Sequence, residues 1–165
     1  MTPENFNWKS FTHGILLSIP LQHAFELIAT AGGLAAWFIG DCTYTGPSSE
    51  TRPQYEVPHA GDSYFWKWYH KDFQLAGQVR EVERNRWIRV TFGRLFNVTL
   101  SVAPEGDRTR VLLKQEYEPG AAEDLFSYVN CCVCWVFFLT NLKSVAEYQL
   151  DLRETEVRDE MLVNC

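Results

Sequence analysis

Hydrophobic positions along the chain recur with two periods, and the switch between them divides it. Residues 9–19 alternate, so Phe11, His13, Ile15 and Leu17 share one face of a predicted strand. Pro20 then opens a helical pattern in which Leu21, Ala24, Phe25 and Ile28 fall three and four residues apart. A second short helix is expected from Thr30 to Phe38, with Gly32 and Gly33 as the break between the two. Residues 40–61 are polar and irregular, carry Pro47, Pro53 and Pro58, and read as a long loop with one short extended piece. Such a loop suits the rim of a site.

Period two returns after the loop. Strands are predicted over residues 62–71, 75–83, 87–93, 96–102 and 108–117. The first places Tyr64, Trp66, Trp68 and His70 on one face; the last places Val111, Leu113, Gln115 and Tyr117 together. On the 75–83 strand, Glu81 is expected to point inward beside Val79. The links between the later strands are short and polar, which makes successive strands antiparallel neighbours. Pro119-Gly120 ends the series, and residues 121–150 contain neither Gly nor Pro. They read as one long helix, with Cys132, Trp135, Leu139, Leu142 and Ala146 at helical spacing. Residues 133–139 are apolar on nearly every side, which predicts burial on more than one face. Strands that run on in hairpins, with helices kept apart, make an α+β domain over residues 1–150. Residues 151–165 follow as a charged tail.

Composition narrows the function. Six Trp, seven Tyr and eleven Phe in 165 residues are an unusual abundance of aromatics, which fill cores and also line pockets well. A formal charge of −6 without a basic stripe argues against nucleic acid and anionic membranes as partners. Residues 1–20 lack the basic-then-apolar order of a signal peptide, and the strongest apolar run, 131–139, is too short for stable membrane insertion, so a cytoplasmic protein is expected. Five cysteines, an odd number with three at Cys131, Cys132 and Cys134, do not make a secreted disulfide framework.

Catalytic motifs are weak. The Cys cluster has no His or second Cys pair at a zinc-ligand spacing, so no metal is expected and the thiols read as small core residues. There is no Gly-x-Ser-x-Gly elbow and no phosphate-cradling loop, and no cofactor is implied. The pattern that stands out is apolar wall with isolated polar groups: Tyr64, Trp66 and Trp68 with His70, Glu81, Gln115 and Tyr117, and Trp135 from the helix. Ligand cavities are lined in this way.

Several strings, in order, resemble a known family: ILLSIP at 15–20, AFELIATAGGLAAWF at 24–38, GQVREVE at 77–83, IRVTFG at 88–93, TRVLLKQE at 109–116 and WVFFLTNLKSVAE at 135–147. Together they are similar to the SRPBCC or START-like superfamily, and within it to homologues of the activator of the 90-kDa heat-shock-protein ATPase. The resemblance implies a helix-grip fold, a curved antiparallel sheet wrapped around the long C-terminal helix. It implies that Trp37, Gly77 and Trp135 build the fold, and that a hydrophobic, lipid-like or polyketide-like molecule binds between sheet and helix. It carries no catalytic set. A cyclase or hydrolase using His70, Glu81 or Tyr117 is one alternative. A cochaperone-like module with a chaperone partner is another, and a homodimer through the tail or the exposed helix is compatible with either. Two departures from the family pattern are Cys134, where a Gly usually precedes the helix Trp, and the long loop at 41–62.

Overall fold

The computed structural model describes residues 7–69 and 73–156. In chain order it contains β1 (Ser10–Leu17), α1 (Leu21–Ala29), α2 (Ala31–Trp37), β2 (Asp41–Thr45), β3 (Ser63–Lys67), β4 (Gln74–Glu83), β5 (Trp87–Phe92), β6 (Phe96–Glu105), β7 (Arg108–Tyr117) and α3 (Leu125–Tyr148). The strands form one antiparallel sheet in the order β1-β7-β6-β5-β4-β3-β2. From β2 onward the sheet is a meander. The pair α1–α2 carries the chain from one edge strand, β1, to the other, β2. α1 lies across β5 and β6, and α3 packs along β1 and against α2. This is the α+β helix-grip arrangement.

Local chemistry explains most boundaries. The two short helices are divided at Thr30, not at the glycines. Its amide bonds the Glu26 carbonyl and ends α1, while its hydroxyl accepts from Gly33 N at 3.0 Å and starts α2. Gly33 instead permits close crossing, since a Cβ there would strike the α1 backbone at Glu26 O and Leu27 Cα. Gly77 has a like role on β4, where the Tyr64 ring and hydroxyl occupy the space of a side chain. α3 begins later than expected, at Leu125, because Asp124 caps it by accepting from Ser127 N at 3.0 Å.

One face of α3 is buried, through Tyr128, Trp135, Phe138, Leu139, Asn141 and Leu142. The expectation of burial on several faces is corrected: Phe126, Val129, Val133 and Val136 are exposed. The sheet and α2 meet the helix from one side, and no described element covers the other. α3 does have the length and composition of a bilayer span, longer than the nine-residue run the sequence suggested, but its inner face belongs to the domain core.

The chain beyond α3 turns back at Gln149, which adopts φ 57°, and packs against α2. Arg153 is buried there. It donates to the carbonyls of Ile39 at 2.8 Å and Ala35 at 2.9 Å, pairs with Asp151 at 2.7 Å, and lies 5.1 Å from the Tyr69 ring centre. Asn141 of α3 donates to Trp37 O at 2.7 Å and to Asp151 at 3.0 Å, and accepts from Leu152 N. The end of a helix leaves carbonyls without partners. Those of Ala35 and Trp37 are met by this latch, so the tail is anchored as far as Arg153.

Candidate functional site

The space enclosed by sheet, α2 and α3 is occupied by rings. Alternation on β3 turns Tyr64, Trp66 and the following Trp68 inward, as expected, and leaves Phe65 on the outer surface. Tyr64 and Trp66 stack at 4.2 Å, and the Tyr64 hydroxyl donates to Thr91 O at 2.5 Å. From the opposite side Trp135 donates its indole N–H to Gln115 Oε1 at 2.8 Å. Between these walls stands Phe38, at the C-terminal end of α2. Its ring stacks on Trp135 at 4.6 Å and meets Phe138, Trp66 and Trp68 edge-on at 4.9, 5.4 and 5.5 Å. Ring pairs at these separations attract beyond simple burial.

Phe92 extends the cluster toward the surface, with its ring 5.7 Å from Trp135 and 6.2 Å from Trp66. It also lines a groove of about 160 Å³ shared with Phe73, Leu75, Leu95, Phe96 and Ser127. The groove lies where the β5–β6 turn approaches the first turn of α3. The long loop after β2 lies elsewhere: Gly32 N donates to Gln54 O at 2.8 Å, which holds it on α2. Its far end is tied by Arg52, which donates twice to the buried Asp62 at 2.9 Å. These bonds, chiefly the one from Arg52, hold the Asp62 carboxyl below the usual carboxylate range.

Among the described residues, five buried polar side-chain atoms lack a nitrogen or oxygen hydrogen-bond partner, Tyr44 Oη, Trp66 Nε1, Arg89 Nε, Asn97 Oδ1 and Gln115 Nε2, and three of them, on Tyr44, Trp66 and Gln115, belong to side chains of the aromatic interior. The Trp66 and Gln115 donors are left with thiols as partners, Cys42 and Cys131, and sulfur is a weak acceptor. Burial pushes the Cys42 thiol up to about 12 and raises Cys131 and Cys132 as well. Thiols held protonated are weak nucleophiles. The Cys132 sulfur lies 3.4 Å from His13 Nε2, but no group of three metal-ligating side chains exists among the described residues.

Of the expected wall residues, Tyr64, Trp66, Trp68, Gln115 and Trp135 converge. Tyr117 stands apart: its hydroxyl donates to Asp124 O at 2.8 Å and accepts from Asp124 N at 2.9 Å, bracing the start of α3. Glu81 is corrected. A bulge between Val79 and Glu81 shifts the register of β4 against β5, so Val82 turns inward and Glu81 faces solvent, 3.6 Å from Arg89. His70 lies outside the described residues. Phe38, Phe92 and Phe138 were missed. Phe138 follows Trp135 at the spacing of one helix face, a usable signal. Phe38 and Phe92 sit at element ends, where periodicity carries least information.

Comparison with known proteins agrees with this architecture. Residues 18–147 match the model of the family described as Activator of Hsp90 ATPase homolog 1-like protein. No curated protein matched. Among solved structures, a Staphylococcus saprophyticus protein (SSP2350) is 17% identical with a TM-score of 0.68, the alignment covering 87% of this chain and 96% of that one. The Aha1 dimer from Colwellia psychrerythraea is 15% identical with a TM-score of 0.64, covering 84% and 96%. DynU16, from the dynemicin biosynthetic locus, is 15% identical with a TM-score of 0.67, covering 89% of this chain but 50% of its own. At these identities the solved structures speak for the fold alone. The family match spans most of the sequence, and the chain belongs to the Activator of Hsp90 ATPase homolog 1-like family.

Proposed function

We propose that the chain binds a small, uncharged, largely apolar molecule between the concave sheet and α3, in the place Phe38 now fills. The observation that carries this is the unmet polarity of an otherwise aromatic interior. Trp66 Nε1 and Gln115 Nε2 meet only thiol sulfur and Tyr44 Oη meets no acceptor, and a buried donor left unmet costs about 1–3 kcal/mol. A ligand with carbonyl or ether oxygens would relieve that cost while its apolar body replaced the Phe38 contacts. Burial would drive affinity at roughly 25 cal/mol per Å² of apolar surface, before the costs of association. Displacement of Phe38 as a plug would be a swing of its ring, because Asn141 and Arg153 hold the backbone carbonyls on either side of it, at Trp37 and Ile39. The groove at Phe73 and Phe92 offers a way in. Lipid-like and polyketide-like molecules both answer this description.

Titration with the neutral fluorophore N-phenyl-1-naphthylamine tests the reading. Saturable binding near one per chain is expected, with quenching of Trp emission. Phe38→Ala should bind at least tenfold more tightly. Phe38→Leu, which keeps more of the packing, should fall between. The reading fails if none of the three binds saturably.

The family match favours a second reading, a protein-interaction module acting on a chaperone ATPase. It requires stimulation of the chaperone's ATP turnover that survives Phe38→Leu.

A further inference from the structure

The outer face of α3 is chemically unlike the rest of the surface. Phe126 is 81% exposed, Val133 66%, Val136 52% and Val129 46%. With Thr140 they recur at alternating steps of three and four residues, the spacing of a helix-to-helix seam. Residues 125–142 carry no Asp, Glu, Lys or Arg at all. A solvated helix face normally does carry them, and the inner face alone does not account for their absence.

We propose that this face is the interface of a twofold dimer, in which α3 of one copy packs antiparallel on α3 of a second about Val133 and Val136. Three observations select a second copy in that orientation. The first is charge. Glu123, exposed and 3.6 Å from Lys9, and Asp124, the cap of α3, precede the seam, and Lys143, 39% exposed and paired with Glu147, stands at its other end. Antiparallel packing opposes the two helix dipoles and brings the acidic end of each helix to the Lys143–Glu147 pair of its partner, where Lys143 can bridge to Glu123; parallel packing sets the two acidic ends side by side. The second is size. About the Val133–Val136 axis Phe126 meets Thr140 and the aliphatic stem of Lys143, a large group against smaller ones, as close packing requires. The third is area. The exposed side chains offer roughly 500 Å² per copy, so two copies bury about 1,000 Å², the lower edge of a specific interface. A lipid surface fits less well. Interfacial helices flank their apolar face with Lys and Arg. Here Lys143 is the single cation on α3, and the chain is net acidic.

Sedimentation velocity of the full chain across a wide concentration range tests this. The wild type should reach a dimer of the 19.1 kDa chain. Val133→Glu should remain a monomer to at least tenfold higher concentration with an unchanged near-UV circular dichroism spectrum. Phe65→Glu, an equally apolar change on the outer sheet face, should still dimerise. Glu123→Lys should weaken the dimer several-fold, and adding Lys143→Glu should restore it. A wild type monomeric throughout overturns the proposal, as does a Val133→Glu dimer. Failure of the charge swap to restore association overturns the antiparallel arrangement. Wild-type monomers that float with phosphatidylcholine–phosphatidylglycerol vesicles, while Val133→Glu does not, would assign the face to lipid instead. None of these outcomes depends on ligand binding.

Discussion

Within the same few turns of α3, Phe138, Leu139 and Leu142 are shut away from water while Val133 and Val136 stand in it. By residue type the two faces are hardly distinguishable. What separates them is the company the rest of the chain supplies. The inner face meets Phe38 and Phe92, and it carries two polar residues with dedicated partners, Trp135 on Gln115 and Asn141 on Trp37 O and Asp151. The outer face meets no described element and has no polar partner to orient it. Hydrophobicity marks a surface that gains by leaving water; it does not say whether its own chain or another molecule does the covering.

The largest effect that would sharpen this contrast comes from truncating one side chain on each face. Leu142→Ala, at a position with no exposure, should cost about 3 kcal/mol through lost burial and the cavity left behind. Val136→Ala should stay within about 0.5 kcal/mol of wild type when both are unfolded in urea at a concentration that keeps the chain monomeric. Equal losses would break the comparison, because the outer face would then be packed within the monomer.

A smaller effect is expected where the inner face is fastened by polar groups. Arg153→Met keeps much of the side chain's volume but leaves the carbonyls of Ala35 and Ile39 without their donor. A loss of roughly 2–3 kcal/mol is expected, the range for hydrogen bonds to a charged group. Faster hydrogen exchange at the amides of residues 38–40, next to the plug, should accompany it. Unchanged exchange there would show that the tail does not hold Phe38 in place.

The smallest effect is a pH dependence of that same latch. Burial raises the Asp151 carboxyl, but hydrogen bonds from Arg153 and Asn141 outweigh it and hold the group below its ordinary value. A carboxyl depressed in the folded state stabilises above its unfolded value, about pH 4, and that contribution is lost as pH falls through the folded value. Thermal melts should show a gap between wild type and Arg153→Met that is full at pH 6 and narrows below pH 4. The part of the gap that comes from the Ala35 and Ile39 carbonyls should remain in acid; a gap that does not narrow at all would remove Asp151 from the account.

The long helix, the strand at β1 and the facing of Tyr64, Trp66 and Trp68 were legible because each is a repeated pattern, where one ambiguous residue is outvoted by its neighbours. Glu81 was misread for the converse reason. A single extra residue in β4 inverts the alternation, and nothing in the local string announces it. The division between α1 and α2 was placed at Gly32-Gly33, since glycine favours breaks, yet Thr30 makes it and Gly33 serves a close crossing. Tyr117 sits on the expected face of β7, but its hydroxyl is taken by the start of α3, a contact between elements that no spacing encodes.

What the amino-acid order determined alone was the set of elements, their antiparallel connection and the aromatic wealth of the interior, because period and turn chemistry act over a few residues. Tertiary structure decided the rest. It placed Phe38 among rings from β3 and α3, left the Trp66 and Gln115 donors with thiols for partners, seated Arg153 on the end of α2, and turned half of an apolar helix outward. Each of these depends on which distant surfaces meet, and that is settled by packing in three dimensions.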